Sequence, residues 1–256
     1  MTKKIVLLCS ACFSTTVLYN HINPGYPIRH IIIEEPMRGM ALAKRRFKKL
    51  GFVRTVGQIL FSLLVVRIVR MGSGKRVKQI IEQSKLDETP LPQQKIKNVI
   101  SANDDACINF LKEQQPDIVL VNGTRILSKK LLESTNAVFI NMHTGITPQY
   151  RGVHGGYWAV VNNDYNRCGV TIHLVDKGID TGAVLYQAAI KITPKDNFVT
   201  YPYLQFGEGV PLVLKAVEDV AANRLKPFTP AGDKGKLWYH PTIWQYFYYR
   251  VFKKKK

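Results

Sequence analysis

The segment AVFINMHTGITP, residues 137–148, opens with four apolar residues that predict a short buried strand. Asn141 and His143 lie at the carboxyl end of this strand. Because side chains two residues apart on an extended chain point the same way, the amide and the imidazole should project together. Downstream, the segment DKGIDTG at residues 176–182 places Asp180 in a glycine-flanked loop. An amide, an imidazole and a carboxylate at strand ends predict an acid–base site, although each residue taken alone is better explained by a turn, a core position or a loop cap.

Further apolar runs predict the rest of a sheet around this strand. They lie at residues 4–8, 31–33 and 117–121. The first run leads through a turn of small residues into a helix ending near residue 20, which is how a doubly wound sheet begins. Runs at 169–175 and 183–192 are separated by about seven residues, too few for a crossover helix, so they should pair antiparallel. We therefore predict an α/β fold, a Rossmann-like and mostly parallel sheet flanked by helices, with an antiparallel strand pair around the Asp180 loop.

The turn after the first strand contains two pairs of residues that could carry chemistry. Backbone amides at the start of a helix can bind an anion, so Ser14 and Thr15 are candidate contacts to a substrate phosphate, although the turn has no glycine. Cys9 and Cys12 form a C-x-x-C pair, which suits either thioredoxin-like redox chemistry or two small residues packing at the strand end. The six histidines lack the spacing of metal ligands, so we predict no metal site.

The composition is that of a soluble globular protein with a large excess of positive charge. Of 256 residues, 46% are hydrophobic and 21% are charged, and the formal net charge is +19. This charge predicts anionic partners, which include phosphorylated small molecules, nucleic acid and membrane surfaces. Four cysteines are too few for a disulfide scaffold, and the short apolar start is unlike a signal peptide, so we predict a cytoplasmic protein. A location peripheral to the inner face of a membrane stays open.

The sequence has two basic segments, and it does not decide which kind of partner each of them contacts. Residues 38–78 predict a helical region, interrupted at Gly51, with an apolar run at 59–66 that is too short to span a bilayer. This region could lie on an anionic membrane, or its apolar side could cover the sheet while its arginines face water or a substrate phosphate. The aromatic and lysine-rich tail, residues 237–256, suits a membrane interface, nucleic acid, or docking of the aromatics on the body. Weak association with an anionic membrane is one hypothesis, and RNA binding is less favoured.

Four short motifs, taken together and in order, are similar to those of a known enzyme family. The motifs are NMH at residues 141–143, PQYRG at 148–152, GVTI at 169–172 and DKGIDTG at 176–182. They resemble the catalytic segment of the folate-dependent formyltransferases, which include methionyl-tRNA formyltransferase, glycinamide ribonucleotide transformylase and the sugar N-formyltransferases. Upstream, NGTRILS at residues 122–128 is similar to the pteridine-binding strand end of the family. The resemblance extends over about residues 98 to 192 and implies the formyltransferase fold.

The resemblance implies formyl transfer from 10-formyltetrahydrofolate to an amine. Asn141 would donate a hydrogen bond to the developing oxyanion, a contribution of roughly 3 kcal/mol where such donors have been removed from other enzymes. His143 would shuttle or share protons, while Asp180 would orient the imidazole and contact the amine through water. The implied binding residues are Arg125, Ile126, Leu127 and Asp176 for the cofactor, and Ser14, Thr15, Arg151 and Gly152 for the substrate.

Departures from the family pattern bear on the acceptor. Residues 144–148 read TGITP where relatives read Ser-Leu-Leu-Pro or close to it, and the glycine-rich phosphate loop of the glycinamide transformylases is missing. Methionyl-tRNA formyltransferases carry a further C-terminal β-barrel, for which the chain after Asp196 lacks room and strand patterning. By elimination, we expect the acceptor to be a small anionic amine, an amino-sugar nucleotide, with methionyl-tRNA and glycinamide ribonucleotide as alternatives.

Two other classes of function stay open at this point. Hydrolysis of formyltetrahydrofolate would use the same three residues with water in place of the amine, and a non-catalytic basic module would use residues 44–78 and the tail to bind RNA or lipid. We expect a catalytic domain at residues 1–200, with a helix and basic tail at 201–256 packed on it and not forming a separate domain. The sequence does not predict an oligomeric state.

Overall fold

The structure is a computed structural model that describes residues 3–37, 39–232 and 235–255. Within these ranges seven strands form a main sheet in the order β3-β2-β1-β4-β5-β7-β8, and β6 pairs with β9 in a small second sheet. The strands are β1 Ile5–Ser10, β2 Ile28–Glu34, β3 Ile96–Val99, β4 Ile118–Asn122, β5 Val138–His143, β6 Tyr150–Gly152, β7 Gly169–Leu174, β8 Val184–Ala189 and β9 Lys236–Trp238.

The main sheet changes direction at β5. Strands β3, β2, β1, β4 and β5 are parallel neighbours, whereas β7 runs antiparallel to both β5 and β8. The predicted α/β fold, with a mostly parallel sheet and an antiparallel pair around the Asp180 loop, is therefore confirmed. Pairing of β5 with β7 sets Asn141 opposite His173 and His143 opposite Thr171. This register brings the polar end of β5 against a polar segment of β7.

Helices cover both faces of the main sheet because its buried strands are apolar on both sides. The helices are α1 Phe13–Ile22, α2 Gly39–Leu50, α3 Phe52–Leu60, α4 Val66–Gln83, α5 Asp105–Gln114, α6 Lys129–Leu132, α7 Gly155–Val161, α8 Tyr201–Ala221 and α9 Ile243–Val251. Alternate residues of β1 face opposite sides. Ile5 and Leu7 share a cluster with residues of α1 and α8, and Val6 and Leu8 share another with residues of α5 and α6.

Much of the predicted basic helical region forms one long helix. Gly51, with a φ of +79°, ends α2, as expected for a residue that tolerates positive φ. The long helix is the 32-residue stretch Phe52–Gln83, made of α3, a π-helical turn at Phe61–Val65, and α4. By length and composition alone it could cross a membrane, which the apolar run at 59–66 by itself could not.

Contacts along the long helix hold it on the protein body. Near its start, Gln58 donates a 2.8 Å hydrogen bond to the backbone carbonyl of His240. Near its end, the Nε of Arg76 lies 2.8 Å from Oδ1 of the buried Asp196. Phe61, between them, is fully buried. The long helix therefore lies along the protein surface, with one face packed and the other exposed.

The C-terminal segment folds back over the loops that follow β5. Strand β9 pairs in parallel with β6, so Gly152 lies opposite Trp238. A capping box between Thr242 and Gln245 starts α9, and Tyr246 of that helix is buried with its ring centroid 5.4 Å from that of Phe61. Part of the aromatic tail thus docks on the body, while other aromatic residues stay exposed. The division at residue 200 stays a prediction.

Candidate active site

Strands β5 and β7 bring the predicted acid–base residues to one cleft of about 530 Å³. Asn141 and His143 occupy alternate positions on β5, and Asp180 lies in the loop that joins β7 to β8. The other predicted binding residues that line the cleft are Ser14, Arg125, Ile126, Leu127, Gly152 and Asp176. Thr15 and Arg151 do not line it. The cleft lies at the carboxyl ends of β4 and β5, where an open α/β sheet usually binds ligands.

Asp180 lies between two imidazoles and a backbone amide. Its Oδ2 is 3.3 Å from Nδ1 of His143, and its Oδ1 is 3.7 Å from Nε2 of His173. The same Oδ2 accepts a 2.8 Å hydrogen bond from the N–H of Gly152. Burial by itself raises the pKa of Asp180, but the charge of His143, the contact with His173 and the Gly152 amide outweigh it and hold the pKa at about 2. Asp180 is therefore ionised at neutral pH.

The ring of His143 has an oxygen acceptor at each nitrogen. Nε2 lies 2.7 Å from the backbone carbonyl oxygen of Tyr150, which can only accept a hydrogen bond. Nδ1 faces the ionised carboxylate of Asp180. An imidazolium satisfies both contacts as a donor, whereas a neutral ring satisfies only one of them. The two contacts therefore fix the orientation of the His143 ring in the cleft.

A second histidine orients the amide of Asn141. Nδ1 of His173 lies 2.7 Å from the carbonyl oxygen of Leu174, so this nitrogen carries the proton. In a neutral ring Nε2 is then an acceptor, and it lies 3.0 Å from Nδ2 of Asn141. One amide hydrogen of Asn141 is thereby directed to His173. The second amide hydrogen is left to donate to a ligand in the cleft.

Gly152 supplies the backbone amide for Asp180 because the chain bends sharply there. Its φ is +98°, and a Cβ at this position would press into the backbone carbonyl of Trp238. The neighbouring N–H of Val153 donates to that same carbonyl at 3.0 Å. The pairing of β6 with β9 therefore fixes the amide that holds the carboxylate of Asp180.

The segment at residues 122–128 forms the opposite wall of the cleft around a buried glutamate. Oε2 of Glu34 accepts a 2.8 Å hydrogen bond from the N–H of Arg125, and its Oε1 accepts one of 2.8 Å from the N–H of Ala102. The guanidinium of Arg125 lies 3.5 Å from Glu34. The positive charge of Arg125 is thus paired with the carboxylate of Glu34. Ile126 is 47% exposed and lines the cleft. An apolar wall with nearby backbone groups fits a flat heterocycle such as a pteridine.

Of the two residues predicted to contact a phosphate, Ser14 lies at the cleft and Thr15 lies in the core. The hydroxyl of Ser14 accepts a 2.9 Å hydrogen bond from Nδ2 of Asn122 and lines the cleft. Thr15 is fully buried, and its hydroxyl donates to the carbonyl of Ser10 at 2.7 Å. In the C-x-x-C pair, burial raises the pKa of the Cys9 thiol to about 12, whereas at Cys12 burial is outweighed by hydrogen bonds with Ser14 and Thr15, which lower the pKa.

Arg151 is a residue of β6, in the second sheet, and does not line the cleft. Its Nη2 donates a 3.2 Å hydrogen bond to the backbone carbonyl of Gly235. The role of Arg151 in substrate binding stays a prediction. Among the residues that the structure describes, no group of three or more His, Cys, Asp or Glu side chains could hold a metal ion.

Sequence reasoning missed His173 and Glu34 as parts of the site. His173 lies on β7, two residues from Thr171 and on the same face of the strand. The alternation of side chains along this strand is the signal that could have identified His173 as part of the site. Glu34 follows an apolar strand and gives no sign in the sequence that it is buried. Only the packing of β2 beside β1 shows that it holds the wall of the cleft.

Comparison with known proteins agrees with this geometry. The family model described as "Formyl transferase" matches residues 65–203, which is more than half of the chain. The methionyl-tRNA formyltransferase of Thermodesulfovibrio yellowstonii is 32% identical over 141 residues, which cover 55% of this chain and 44% of that protein. The chain therefore spans less than half the length of this curated relative.

Solved structures share the fold at low sequence identity. The phosphoribosylglycinamide formyltransferase of Streptococcus pneumoniae TIGR4 superposes with a TM-score of 0.55 and 20% identity, covering 86% of this chain and 99% of that chain. The sugar 3N-formyl transferase WlaRD, crystallised with dTDP and 5-N-formyl-THF, superposes with a TM-score of 0.56 and 17% identity, covering 93% of this chain and 70% of that chain. The sequence match covers residues 65–203, which include most of the residues that line the cleft, and it shows that the chain belongs to the formyl transferase family.

Proposed function

We propose that this chain transfers a formyl group from 10-formyltetrahydrofolate to a primary amine. The observation that supports this proposal most is the convergence of Asn141, His143 and Asp180 in one cleft. The wall at residues 122–128 would bind the pteridine, with Ile126 against the ring and backbone groups beside it. A binding module would have no use for a largely buried pair of His143 and Asp180 in such a cleft.

The three residues would divide the chemistry of acyl transfer. The amine attacks the formyl carbon, negative charge develops on the formyl oxygen, and the free N–H of Asn141 would donate to it. His143, oriented by Asp180, would supply a proton to the departing nitrogen, for which Nε2 would exchange its contact with the Tyr150 carbonyl for one with the ligand. Asp180 would contact the attacking amine through water. A carboxylate with a pKa of about 2 does not keep a proton at neutral pH, so the proton lost by the amine would pass through water and Asp180 to His143 and replace the one given to the departing nitrogen.

The acceptor is proposed to be an amino-sugar nucleotide, a small anionic amine. A second cavity of about 770 Å³ adjoins the catalytic cleft, and Ser14 and Phe206 line both. Arg67 and Arg70 of the long helix also line it, and neither is ion-paired with any carboxylate of the described residues. Guanidinium groups bind phosphate well, so this cavity suits the phosphates of such an acceptor.

Methionyl-tRNA is the second candidate, favoured by the name of the curated relatives and by the net charge of +19. Glycinamide ribonucleotide is a third, since the fold is shared with a phosphoribosylglycinamide formyltransferase. We further propose that the protein works in the cytoplasm, at the inner face of a membrane.

A spectrophotometric screen of tetrahydrofolate release tests the proposed function. Purified protein and 10-formyltetrahydrofolate are mixed with amino-sugar nucleotides, glycinamide ribonucleotide or methionyl-tRNA, and the formylated product is identified by mass. Release that depends on one amine supports the proposal and names the acceptor. Formate release without any amine would identify a hydrolase instead, and no release in any mixture would contradict both.

A further inference from the structure

The excess of positive over negative charge lies almost entirely in two segments. Between Glu35 and Glu82 the sequence has twelve Lys or Arg residues and no acidic residue, and residues 235–256 have six and none. The remaining residues carry 19 basic against 18 acidic side chains and are close to neutral. Almost the whole excess of +19 therefore belongs to the long helix, the helix before it and the C-terminal tail.

The exposed face of the long helix is apolar as well as basic. Five large apolar side chains recur on it at helical spacing and are exposed: Leu60, Leu63, Leu64, Ile68 and Met71. Arg67 lies among them, and Lys75 follows within a turn or so. Monomeric soluble proteins seldom expose an apolar stripe of this kind, and basic residues beside it are typical of helices that lie in the interface of an anionic membrane.

The tail helix α9 also exposes an apolar face next to basic residues. Its exposed side chains follow the spacing of one helix face: Trp244, Phe247, Tyr248, Val251 and Phe252. The helix crosses the long helix at Gly57, where the ring of Trp244 occupies the space that a Cβ would fill. Lys253, Lys254 and Lys255 follow immediately. Aromatic side chains next to lysines are the composition found at membrane–water interfaces.

The second cavity lies against this basic and apolar region. Leu63, Arg67 and Arg70 line the cavity, and Leu63 is also part of the exposed apolar stripe. The far side of the cavity meets the catalytic cleft at Ser14 and Phe206. A compound bound here would therefore have its phosphate at two arginines, its amine end toward His143, and its remainder beside an apolar helix face.

We propose that the long helix and α9 dock on an anionic bilayer and that the acceptor amine is carried there by a phosphate-linked lipid. The inference rests on the proposed formyl transfer, and it specifies the acceptor as an amino-sugar phosphate attached to a membrane-anchored hydrocarbon chain. The free sugar nucleotide shares the phosphate chemistry but not the hydrocarbon. Complementary charge selects an acidic bilayer as the partner of this surface.

The docking step is tested by co-flotation of the full chain with vesicles of phosphatidylcholine, with or without phosphatidylglycerol. Binding should require the acidic lipid and weaken with salt. Ile68→Glu and Phe252→Glu, at side chains that are 69% and 74% exposed, should each weaken binding on the order of tenfold. Phe228→Glu, at a side chain 48% exposed outside both basic segments, is the matched control and should bind as the wild type does.

Three results would overturn docking. They are equal binding to neutral vesicles, displacement by RNA at physiological salt, and a dimer in solution that Ile68→Glu dissociates. Melting curves of the three variants confirm that each is folded. Since all three side chains are exposed, we expect changes in melting temperature of no more than a few degrees.

The acceptor step is tested with one amino-sugar phosphate, either free in solution or linked to a polyprenyl chain in the acidic vesicles. Wild-type kcat/KM should be at least tenfold higher for the lipid-linked form. Ile68→Glu should lose this gain and keep its turnover of the free form, because Ile68 lines neither cavity. Equal kcat/KM for both forms would overturn the lipid-linked acceptor. Vesicle binding with no formylation of either form would support docking and contradict the proposed function.

Discussion

Asn141 and His173, 32 residues apart in sequence, face each other across two antiparallel strands with Nδ2 of the amide 3.0 Å from Nε2 of the ring. In a neutral His173 ring the carbonyl of Leu174 holds the proton on Nδ1, and Nε2 then presents an acceptor to the amide. The contact leaves one N–H of Asn141 directed into the cleft. His173 is thus a positioning residue for the proposed oxyanion donor. Its Nε2 also lies 3.7 Å from Oδ1 of Asp180.

Substitution of His173 should lower kcat more than it alters ligand binding. In His173→Ala the amide of Asn141 is free to rotate, and we expect kcat to fall about tenfold to a hundredfold with little change in KM for the folate. His173→Gln offers an acceptor oxygen and should recover part of the loss. Steady-state kinetics with both variants make the comparison. Equal activity of the Ala and Gln variants would show that the contact does not position Asn141.

Substitution of His143 or Asp180 should be more severe. His143→Ala and Asp180→Asn should each reduce turnover by about two or more orders of magnitude, because the site loses either the proton-transferring ring or the carboxylate that orients it. Asn141→Asp should be equally severe, since it replaces a donor with an acceptor. Single-turnover kinetics measure the effect, with circular dichroism to verify folding. Near-normal turnover in a folded variant would remove that residue from the proposed mechanism.

Gly152→Ala should damage both stability and activity through the carbonyl of Trp238. The positive φ and the clash together should cost about 2–4 kcal/mol of unfolding free energy, and a displaced amide would release Asp180. Gly51→Ala is the control. It also has a positive φ, but among the described residues no atom lies within 4 Å of the added Cβ, so about 1–2 kcal/mol is expected and activity should persist. Urea unfolding and kinetics on both variants separate backbone strain from the specific contact.

A folate analogue should raise the melting temperature of the protein, because a ligand that binds only the native state stabilises it by mass action. The shift should be smaller in Arg125→Ala, since Arg125 holds the wall at residues 122–128 against Glu34. Lys129→Ala, on the exposed side of α6, should give the full shift. No shift of the wild-type protein at saturating analogue would contradict folate binding by this cleft.

Acid should destabilise the junction between α7 and the tail. Nε2 of His154 lies 2.9 Å from Nδ1 of His240, so one ring donates to the other. Burial, together with the nearby charge of Arg46, lowers the pKa of His240 from 6.5 to about 4, and burial also lowers that of His154. Because the unfolded chain takes up protons that the folded chain excludes, the free energy of unfolding should decrease as pH falls from 6.5 to about 4.

His240→Asn should flatten this decrease, and urea unfolding at a series of pH values would measure it. His30→Asn, at a half-buried histidine on β2, should leave the decrease in place. The same pH dependence in wild type and His240→Asn would show that the pair does not control acid stability.

The main sheet was predictable because each of its buried strands is a local apolar run bounded by turns. Residues 117–121 were predicted as a strand, and the structure has Ile118–Asn122. Asn141, His143 and Asp180 were also predictable as candidates, from strand periodicity and a glycine-flanked loop. Whether they act as proposed stays a prediction.

What the sequence could not show are contacts between distant segments. The pairing of Gly152 with Trp238 joins residues 86 positions apart, and no local pattern marks a three-residue strand. The pair of His154 and His240 is hidden for the same reason, since a lone histidine carries no sign of its partner. The exposed face of the long helix depends on which side packs against the body, and its composition alone leaves that side undetermined.

The small sheet of β6 and β9 has a consequence for local unfolding. It is held by a few backbone hydrogen bonds and by Trp238, whose ring stacks 4.8 Å from that of Trp158, and it shares no strand with the main sheet. Such a unit can open without melting the seven-stranded core. Amide hydrogens of residues 150–153 and 236–238 should therefore exchange with solvent well before those of β1 and β4. Each opening event would also free Asp180 from Gly152, so an equilibrium that involves the C-terminal segment sets the fraction of time for which the Asp180 carboxylate is held in place.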